Sequence, residues 1–289
     1  MTMAIRHLGE KIGVEVSGVD VSTMDDADFR RMYQAWLDQS ILVVRGQDLT
    51  PPEYLAFGRR FGTLIPHPSA NVPHPQHPEI TVMGIDKFDA EGKIKMHIYR
   101  RGAEAFHTDG NFDEDPYKAT ALYCLAVPSR GGDTHFASMY AAHDALPDRI
   151  KQRLDGVKGV YLYSGKREFN PEYMKSAKLK PSKPIRHLLL GTHLETGRKV
   201  LFFDRIKIVS IDGMDQAESD AMIDELTTYM IQPDAQYTHK WAKGDIVMWD
   251  NRSSYHKAAG DYPVEEDRIH WRVSIKEYSS AAQADHKTY

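Results

Sequence analysis

The chain has little of what marks secreted, membrane-spanning or nucleic-acid-binding proteins. Cys124 is the only cysteine among 289 residues, so no internal disulfide can form and a cytoplasmic protein is expected. The N-terminus lacks the apolar core of a signal peptide, and no apolar run is long enough to span a bilayer. Lys and Arg are spread along a chain of formal net charge −4, so neither a membrane nor a nucleic acid is an expected partner.

The composition is that of an ordinary globular protein. Hydrophobic residues make up 41% of the chain and charged residues 27%. We find no internal repeat, low-complexity tract or linker, so a single domain over residues 1–289 is expected.

Secondary structure predicted from periodicity is mostly β with flanking helices. Apolar residues at helical spacing predict a helix over 25–39, and the capping box Thr50-Pro51-Pro52-Glu53 predicts a helix that runs to about Phe61. Further helices are predicted near 138–154 and 214–231. Strands are predicted at 118–127, 132–137, 157–163, 186–194, 199–204, 236–241, 245–250 and 270–278. Many short strands with few helices suggest a double-sheet jelly roll.

A polar segment over residues 85–105 is predicted to be a mobile lid. It is rich in Gly, Asp, Lys and Arg, has little apolar content, and directly precedes the most informative motif of the chain.

That motif is His107-Thr108-Asp109, and it is complemented by His256 in a distant segment that begins Trp249-Asp250-Asn251. Alternate side chains of an extended backbone share a face, so His107 and Asp109 can reach one metal ion together. A second imidazole completes the two-histidine, one-carboxylate facial triad of non-heme Fe(II) oxygenases. Zinc hydrolases also use such ligands, but their His-Glu-x-x-His helix pattern is absent.

Other motifs stand in a consistent order around this candidate metal site. They are Gly18-Val19-Asp20, Phe61-Gly62-Thr63-Leu64, Gly131-Gly132-Asp133-Thr134 and Arg268-Ile269-His270-Trp271-Arg272. Together with the triad, they resemble the taurine/2,4-D dioxygenase (TauD/TfdA) family of Fe(II)- and 2-oxoglutarate-dependent enzymes, from about residue 7 to residue 278.

The resemblance implies a double-stranded β-helix (a cupin-like jelly roll), with Fe(II) held by the triad. It implies that Arg268 and the hydroxyl of Thr134 bind the distal carboxylate of the cosubstrate 2-oxoglutarate, and that O2 is consumed. Residues 268, 270 and 272 share one face of a predicted strand, so a polar face lining the barrel interior is expected.

The resemblance also implies that Arg272 and His67 bind the prime substrate. A cation and a histidine near the iron favour a small anion such as a carboxylate or sulfonate. Four aromatic residues are candidates for an apolar wall beside it, and the sequence does not choose among them: Phe112, Tyr163, Phe169 and Phe203.

The expected reaction is hydroxylation, with C–O, C–N or C–S cleavage after it if the attacked carbon carries such an atom. Two alternatives remain open. The same iron centre can perform desaturation or oxidative rearrangement in a biosynthetic pathway, or the jelly roll can bind a metal or anion without turnover. The prime substrate, the regiochemistry and the oligomeric state stay open, although the resemblance allows a homo-oligomer.

Overall fold

The computed structural model describes residues 2–66, 73–84, 105–176, 178–263 and 265–278. Within these ranges the strands are β1 (Ala4–His7), β2 (Val14–Ser17), β3 (Ile41–Val44), β4 (Thr63–Ile65), β5 (Pro73–His74), β6 (His77–Met83), β7 (Ala119–Ala126), β8 (Thr134–Ser138), β9 (Lys158–Tyr161), β10 (Ile185–Leu188), β11 (Leu190–Thr192), β12 (Lys199–Leu201), β13 (Ile208–Ile211), β14 (Gln236–His239), β15 (Ile246–Asp250), β16 (Ser254–Ala258) and β17 (Ile269–Lys276). The α-helices are α1 (Asp26–Gln39), α2 (Pro51–Arg59), α3 (Met139–Asp144), α4 (Asp148–Arg153), α5 (Pro171–Ser176) and α6 (Gln216–Tyr229). None of these described helices combines the length and the apolar character that crossing a bilayer requires.

A nine-stranded sheet forms the larger half of the fold. Its strands follow the order β1-β2-β3-β15-β7-β17-β6-β5, and β4 pairs with β17 beside this path. Only β2 and β3 run parallel among the described pairs of this sheet; the other pairs are antiparallel. The strand β17 therefore lies well inside the sheet, where both of its edges are paired.

The two faces of β17 have opposite character because side chains alternate along a strand. Val273 and Ile275 are buried in the core beneath α1 and α2, and Trp271 packs against that core. Arg268 and Arg272 lie on the opposite face with only 9% of their surface exposed. The predicted polar interior face is thus present.

A three-stranded sheet, ordered β14-β8-β16, covers that polar face. Phe136 of β8 packs against Trp249 of β15 at 5.6 Å between ring centroids, and both belong to one buried cluster between the two sheets. Two facing antiparallel sheets with helices at the side confirm the predicted mostly-β, jelly-roll class.

Helix starts follow the local sequence closely. Asp25 caps α1 by accepting a hydrogen bond from the backbone N–H of Asp28 at 2.8 Å, and Glu53 accepts from the backbone N–H of Thr50 at 2.7 Å ahead of α2. The helix predicted near 138–154 is instead two short helices, α3 and α4. They are separated at Pro147, which has no N–H to continue a helical ladder.

Several short strands were missed, among them β13 and β16. Each of these two strands pairs with one neighbour, β13 with β9 and β16 with β8, and neither has the length or the clear apolar alternation that predicts a strand. The predicted strand 186–194 is divided into β10 and β11. Of the predicted lid at 85–105, residues 85–104 lie outside the described part of the chain.

Candidate active site

The backbone brings His107 and His256 together across the two halves of the jelly roll. The N–H of each residue donates to the carbonyl of the other, at 3.0 and 2.9 Å, as one isolated antiparallel bridge. Residues paired in this way project their side chains to the same side. The two imidazole centroids accordingly lie 4.2 Å apart.

Asp109 completes a three-residue cluster on that side. It follows His107 by two positions, and its Oδ2 lies 3.7 Å from Nε2 of His256. One ligand atom from each of the three residues lies within 4.8 Å of the others. The structure thus places the three predicted metal ligands around one point.

The charge states of this cluster suit a divalent cation. His107 Nδ1 lies 2.9 Å from the carbonyl of Ala105, which leaves Nε2 free to bind a metal. Burial lowers the pKa of His256 well below its usual value, so this imidazole is neutral. Burial alone would raise the pKa of Asp109, but the charge of Arg272, helped by the hydrogen bond from Thr120, holds that pKa well below its usual range. An ionised carboxylate beside two imidazoles fits a divalent metal ion.

Asn251 and Thr120 hold the Asp109 carboxylate in place from behind. Asp109 Oδ2 accepts from Thr120 Oγ1 at 2.8 Å and from Arg272 Nη2 at 2.8 Å. Asn251 Nδ2 donates to Thr120 Oγ1 at 3.0 Å, and Asn251 Oδ1 accepts from the Asp109 N–H at 3.3 Å. The Thr108 hydroxyl donates to the Asn251 carbonyl at 2.7 Å. The Trp-Asp-Asn motif therefore orients a candidate metal ligand as well as its own turn.

Asp204 is a second buried carboxyl near the cluster, and no local motif pointed to it. Its Oδ2 accepts from Asn111 Nδ2 at 2.9 Å and from the Thr108 N–H at 3.4 Å. Its Oδ1 accepts from the Lys207 N–H at 3.2 Å. Burial raises the pKa of this carboxyl, while the charges of His107 and Lys207 act against that rise. Asp204 thus connects the segment that carries the candidate ligands His107 and Asp109 to the segment that carries Lys207.

Arg268 and Thr134 meet in the barrel interior, as the family resemblance implies. Arg268 Nε donates to the Gly132 carbonyl at 2.8 Å, and its Nη2 donates to Thr134 Oγ1 at 3.4 Å. The indole N–H of Trp241 also donates to Thr134 Oγ1, at 3.0 Å. Within the described ranges no carboxylate lies within salt-bridge distance of the Arg268 guanidinium. A buried cation without an anionic partner is a receptor for an anionic ligand.

Two cations lie near Asp109. Arg272 contacts Asp109 directly, as described above, and Lys207 is close enough for the charge of Asp109 to act on its ammonium group. Lys207 Nζ donates to the Tyr163 carbonyl and lies 4.8 Å from the Tyr163 ring and 5.5 Å from the Phe112 ring. Burial lowers the pKa of this ammonium group, and the charge of Asp204 opposes that decrease. Lys207 was missed because a lone lysine in Arg205-Ile206-Lys207 carries no pattern.

The four aromatic residues predicted as candidates for an apolar wall lie in different parts of the structure. The rings of Phe112 and Tyr163 meet edge to face, with centroids 4.9 Å apart, beside Lys207. Phe203 is fully buried in the core around α6, and Phe169 is 64% exposed. Phe112 and Tyr163 therefore form an apolar surface beside Lys207. His67 lies outside the described residues.

Comparison with known proteins gives consistent matches along the chain. A family model described as taurine catabolism dioxygenase TauD, TfdA family matches residues 4–274. An (S)-phenoxypropionate/alpha-ketoglutarate-dioxygenase from Sphingobium herbicidovorans is 30% identical over 286 residues, which cover 94% of each chain. An alpha-ketoglutarate-dependent 2,4-dichlorophenoxyacetate dioxygenase from Cupriavidus pinatubonensis is 26% identical, covering 89% of this chain and 92% of that protein.

A solved structure gives the corresponding result for the fold. The crystal structure of AAD-2 in complex with Mn(II) and N-oxalylglycine superposes with a TM-score of 0.79 at 26% identity. The superposition covers 96% of this chain and 98% of that one.

Proposed function

The chain belongs to the taurine catabolism dioxygenase TauD, TfdA family, and we propose that this 2-oxoglutarate-dependent dioxygenase uses Fe(II) and O2 to hydroxylate a small organic anion. The observation that carries the proposal is the pairing of two sites in one barrel. A cluster of two imidazoles and one carboxylate lies at one end of the polar face of β17, and the buried Arg268 guanidinium lies at the other.

The metal ligands would be His107, Asp109 and His256. Ligands on one side of an ion leave the other coordination positions open, which is the arrangement used by non-heme Fe(II) oxygenases. When bound, iron together with 2-oxoglutarate and O2 supplies the oxidising chemistry that protein side chains lack. The task of Arg272, Thr120 and Asn251 is to keep the Asp109 carboxylate ionised and oriented.

Arg268 and Thr134 would bind the distal carboxylate of 2-oxoglutarate. A guanidinium matches a carboxylate with two parallel hydrogen bonds, and the Thr134 hydroxyl offers a further donor. Since Arg268 is buried, these bonds form away from competing water and orient the cosubstrate as well as binding it.

Arg272, His67 and Lys207 would bind the anionic group of the prime substrate. The Lys207 ammonium has three donors, of which the Tyr163 carbonyl takes one. Phe112 and Tyr163 offer an apolar surface next to these charges. An anion attached to an aromatic or aliphatic body fits this combination, and relatives named for phenoxypropionate and 2,4-dichlorophenoxyacetate support it. We therefore place aryloxy carboxylates first, ahead of sulfonates and sulfate esters.

A succinate-release screen tests this function. Protein reconstituted with Fe(II) and 2-oxoglutarate would be offered aryloxy carboxylates, sulfonates, sulfate esters and amino acids. We expect substrate-dependent succinate and a product that gains one oxygen, or the fragments of a hydroxylated product. A product that has lost two hydrogens would identify a desaturase instead. If no anion of these classes raised succinate above the background without substrate, the proposed substrate class would be wrong.

We further propose that the chain acts as one catalytic domain in the cytoplasm. The family model spans residues 4–274, which supports one domain. Cys124 is free and buried, so the fold does not depend on a disulfide, which suits a reducing compartment. Fractionation of the native host followed by detection of the protein would test the location.

A further inference from the structure

His270 is a buried histidine whose two ring nitrogens have no hydrogen-bond partner. None of its surface is exposed, and neither Nδ1 nor Nε2 finds a donor or acceptor among the described residues. Two other fully or nearly buried histidines are satisfied: His193 Nε2 lies 3.0 Å from Asp250 Oδ2, and His239 Nε2 lies 3.0 Å from Asp245 Oδ2. Buried polar groups without partners are uncommon, because they lose their hydration and gain nothing in return.

The position of His270 relates this unsatisfied ring to the cosubstrate site. It lies on the polar face of β17 midway between Arg268 and Arg272, and four residues of strand span about 13 Å. Arg272 contacts the metal ligand Asp109, whereas Arg268 contacts Thr134. A ligand that reaches from Arg268 toward the metal cluster would run along the face of β17 on which His270 lies.

The nearest aromatic neighbour of His270 is also part of the Arg268–Thr134 site. The ring centroid of His270 lies 4.4 Å from that of Trp241, in an edge-to-face arrangement. The indole N–H of Trp241 is already used, since it donates to Thr134 Oγ1. A contact with the Trp241 π-system would be a weak substitute for a hydrogen bond and could serve only one of the two nitrogens.

We propose that His270 is a third binding residue for 2-oxoglutarate, and that its ring N–H donates a hydrogen bond to the distal carboxylate beside Arg268 and Thr134. This inference rests on the proposed use of 2-oxoglutarate. It goes beyond that proposal because it adds a neutral donor to the cationic anchor. The neutral form of His270 is favoured because burial and the nearby charge of Arg268 lower its pKa. A neutral ring adds specificity without placing a second unpaired cation in the barrel.

The test is equilibrium binding of 2-oxoglutarate to Mn(II)-loaded protein by titration calorimetry, which requires no turnover. His270→Phe keeps a flat ring but removes both nitrogens, and His270→Gln keeps a side-chain donor. Ser274→Ala is the matched control, because Ser274 is also buried on the same face of β17 with its hydroxyl unpartnered. We expect His270→Phe to weaken binding about tenfold or more, His270→Gln to remain within about threefold of the wild type, and Ser274→Ala to bind normally.

The outcomes separate this inference from the function on which it rests. If wild-type protein binds 2-oxoglutarate and His270→Phe binds it equally well, His270 is not a ligand contact and the inference alone is wrong. If wild-type protein does not bind 2-oxoglutarate, both proposals are wrong. If His270→Phe does not fold, NMR of the wild-type protein, labelled with 15N-histidine and loaded with Zn(II), tests the contact instead. A His270 ring resonance that does not move on addition of 2-oxoglutarate would then refute the contact.

Discussion

Replacing Arg268 with methionine should remove most of the affinity for 2-oxoglutarate and leave the metal ligands in place. The guanidinium is buried, and its hydrogen bonds to the Gly132 carbonyl and the Thr134 hydroxyl aim it into the barrel. Methionine has a similar length and fills the same space. The bound cosubstrate would then have a buried carboxylate with no cation beside it.

The size of the loss follows from that unpaired charge. Truncating one partner of a buried, hydrogen-bonded ion pair costs about 2–5 kcal/mol. At about 1.4 kcal/mol for each factor of ten, the dissociation constant for 2-oxoglutarate should rise about 30-fold to about 4,000-fold. Arg268→Lys should lose less than Arg268→Met, because lysine keeps the charge but cannot form two parallel hydrogen bonds.

The measurement is succinate formation as a function of 2-oxoglutarate concentration at a fixed concentration of prime substrate. Metal content, determined in parallel, should be unchanged, since Arg268 contacts none of the three ligands among its described partners. A KM for 2-oxoglutarate within about threefold of the wild-type value in Arg268→Met would refute the role of this residue. Equal losses in Arg268→Lys and Arg268→Met would refute a contribution of the charge itself.

Three further substitutions test other parts of the site. Asp109→Ala should abolish substrate-coupled succinate formation and weaken Mn(II) binding, and near-native turnover would show that Asp109 is not a ligand. Asn251→Ala removes the hydrogen bonds to Thr120 and to the Asp109 N–H, so the affinity for the metal should fall about 10- to 100-fold. Competition with a chelator measures this affinity, and an unchanged value would contradict the positioning role of Asn251. Lys207→Met should raise the KM for the anionic prime substrate about tenfold and leave the dissociation constant for 2-oxoglutarate unchanged. If only the dissociation constant for 2-oxoglutarate changed, the assignment of Lys207 to the substrate side would be wrong.

Several features could be predicted because they depend on residues close together in the chain. The helix starts at Asp25 and Thr50 follow from hydrogen bonds within one turn. The shared direction of His107 and Asp109 follows from the period of an extended backbone, as does the opposite character of the two faces of β17. The break at Pro147 was equally local and was overlooked when one helix was predicted there.

The family resemblance predicted that certain residues far apart in the chain act together, which no local sequence pattern could indicate. Arg268 and Thr134 come from different sheets, and only their match to a known arrangement associated them before their contact was observed. The short strand β16, which carries His256, was missed, although His256 was predicted to be a ligand from its motif.

Only the tertiary structure placed the groups that support the ligands. Arg272 was expected to face the substrate, and its contact with the Asp109 carboxylate depends on how β17 pairs with its neighbours. Asp204 and Lys207 approach the site through a loop whose sequence resembles many exposed loops. The reason is physical: alternation and capping are properties of a short segment, and the amino-acid sequence displays them directly. Which distant atoms meet inside a barrel depends on strand order, register and the closure of one sheet on the other, and these arise only when the whole chain packs.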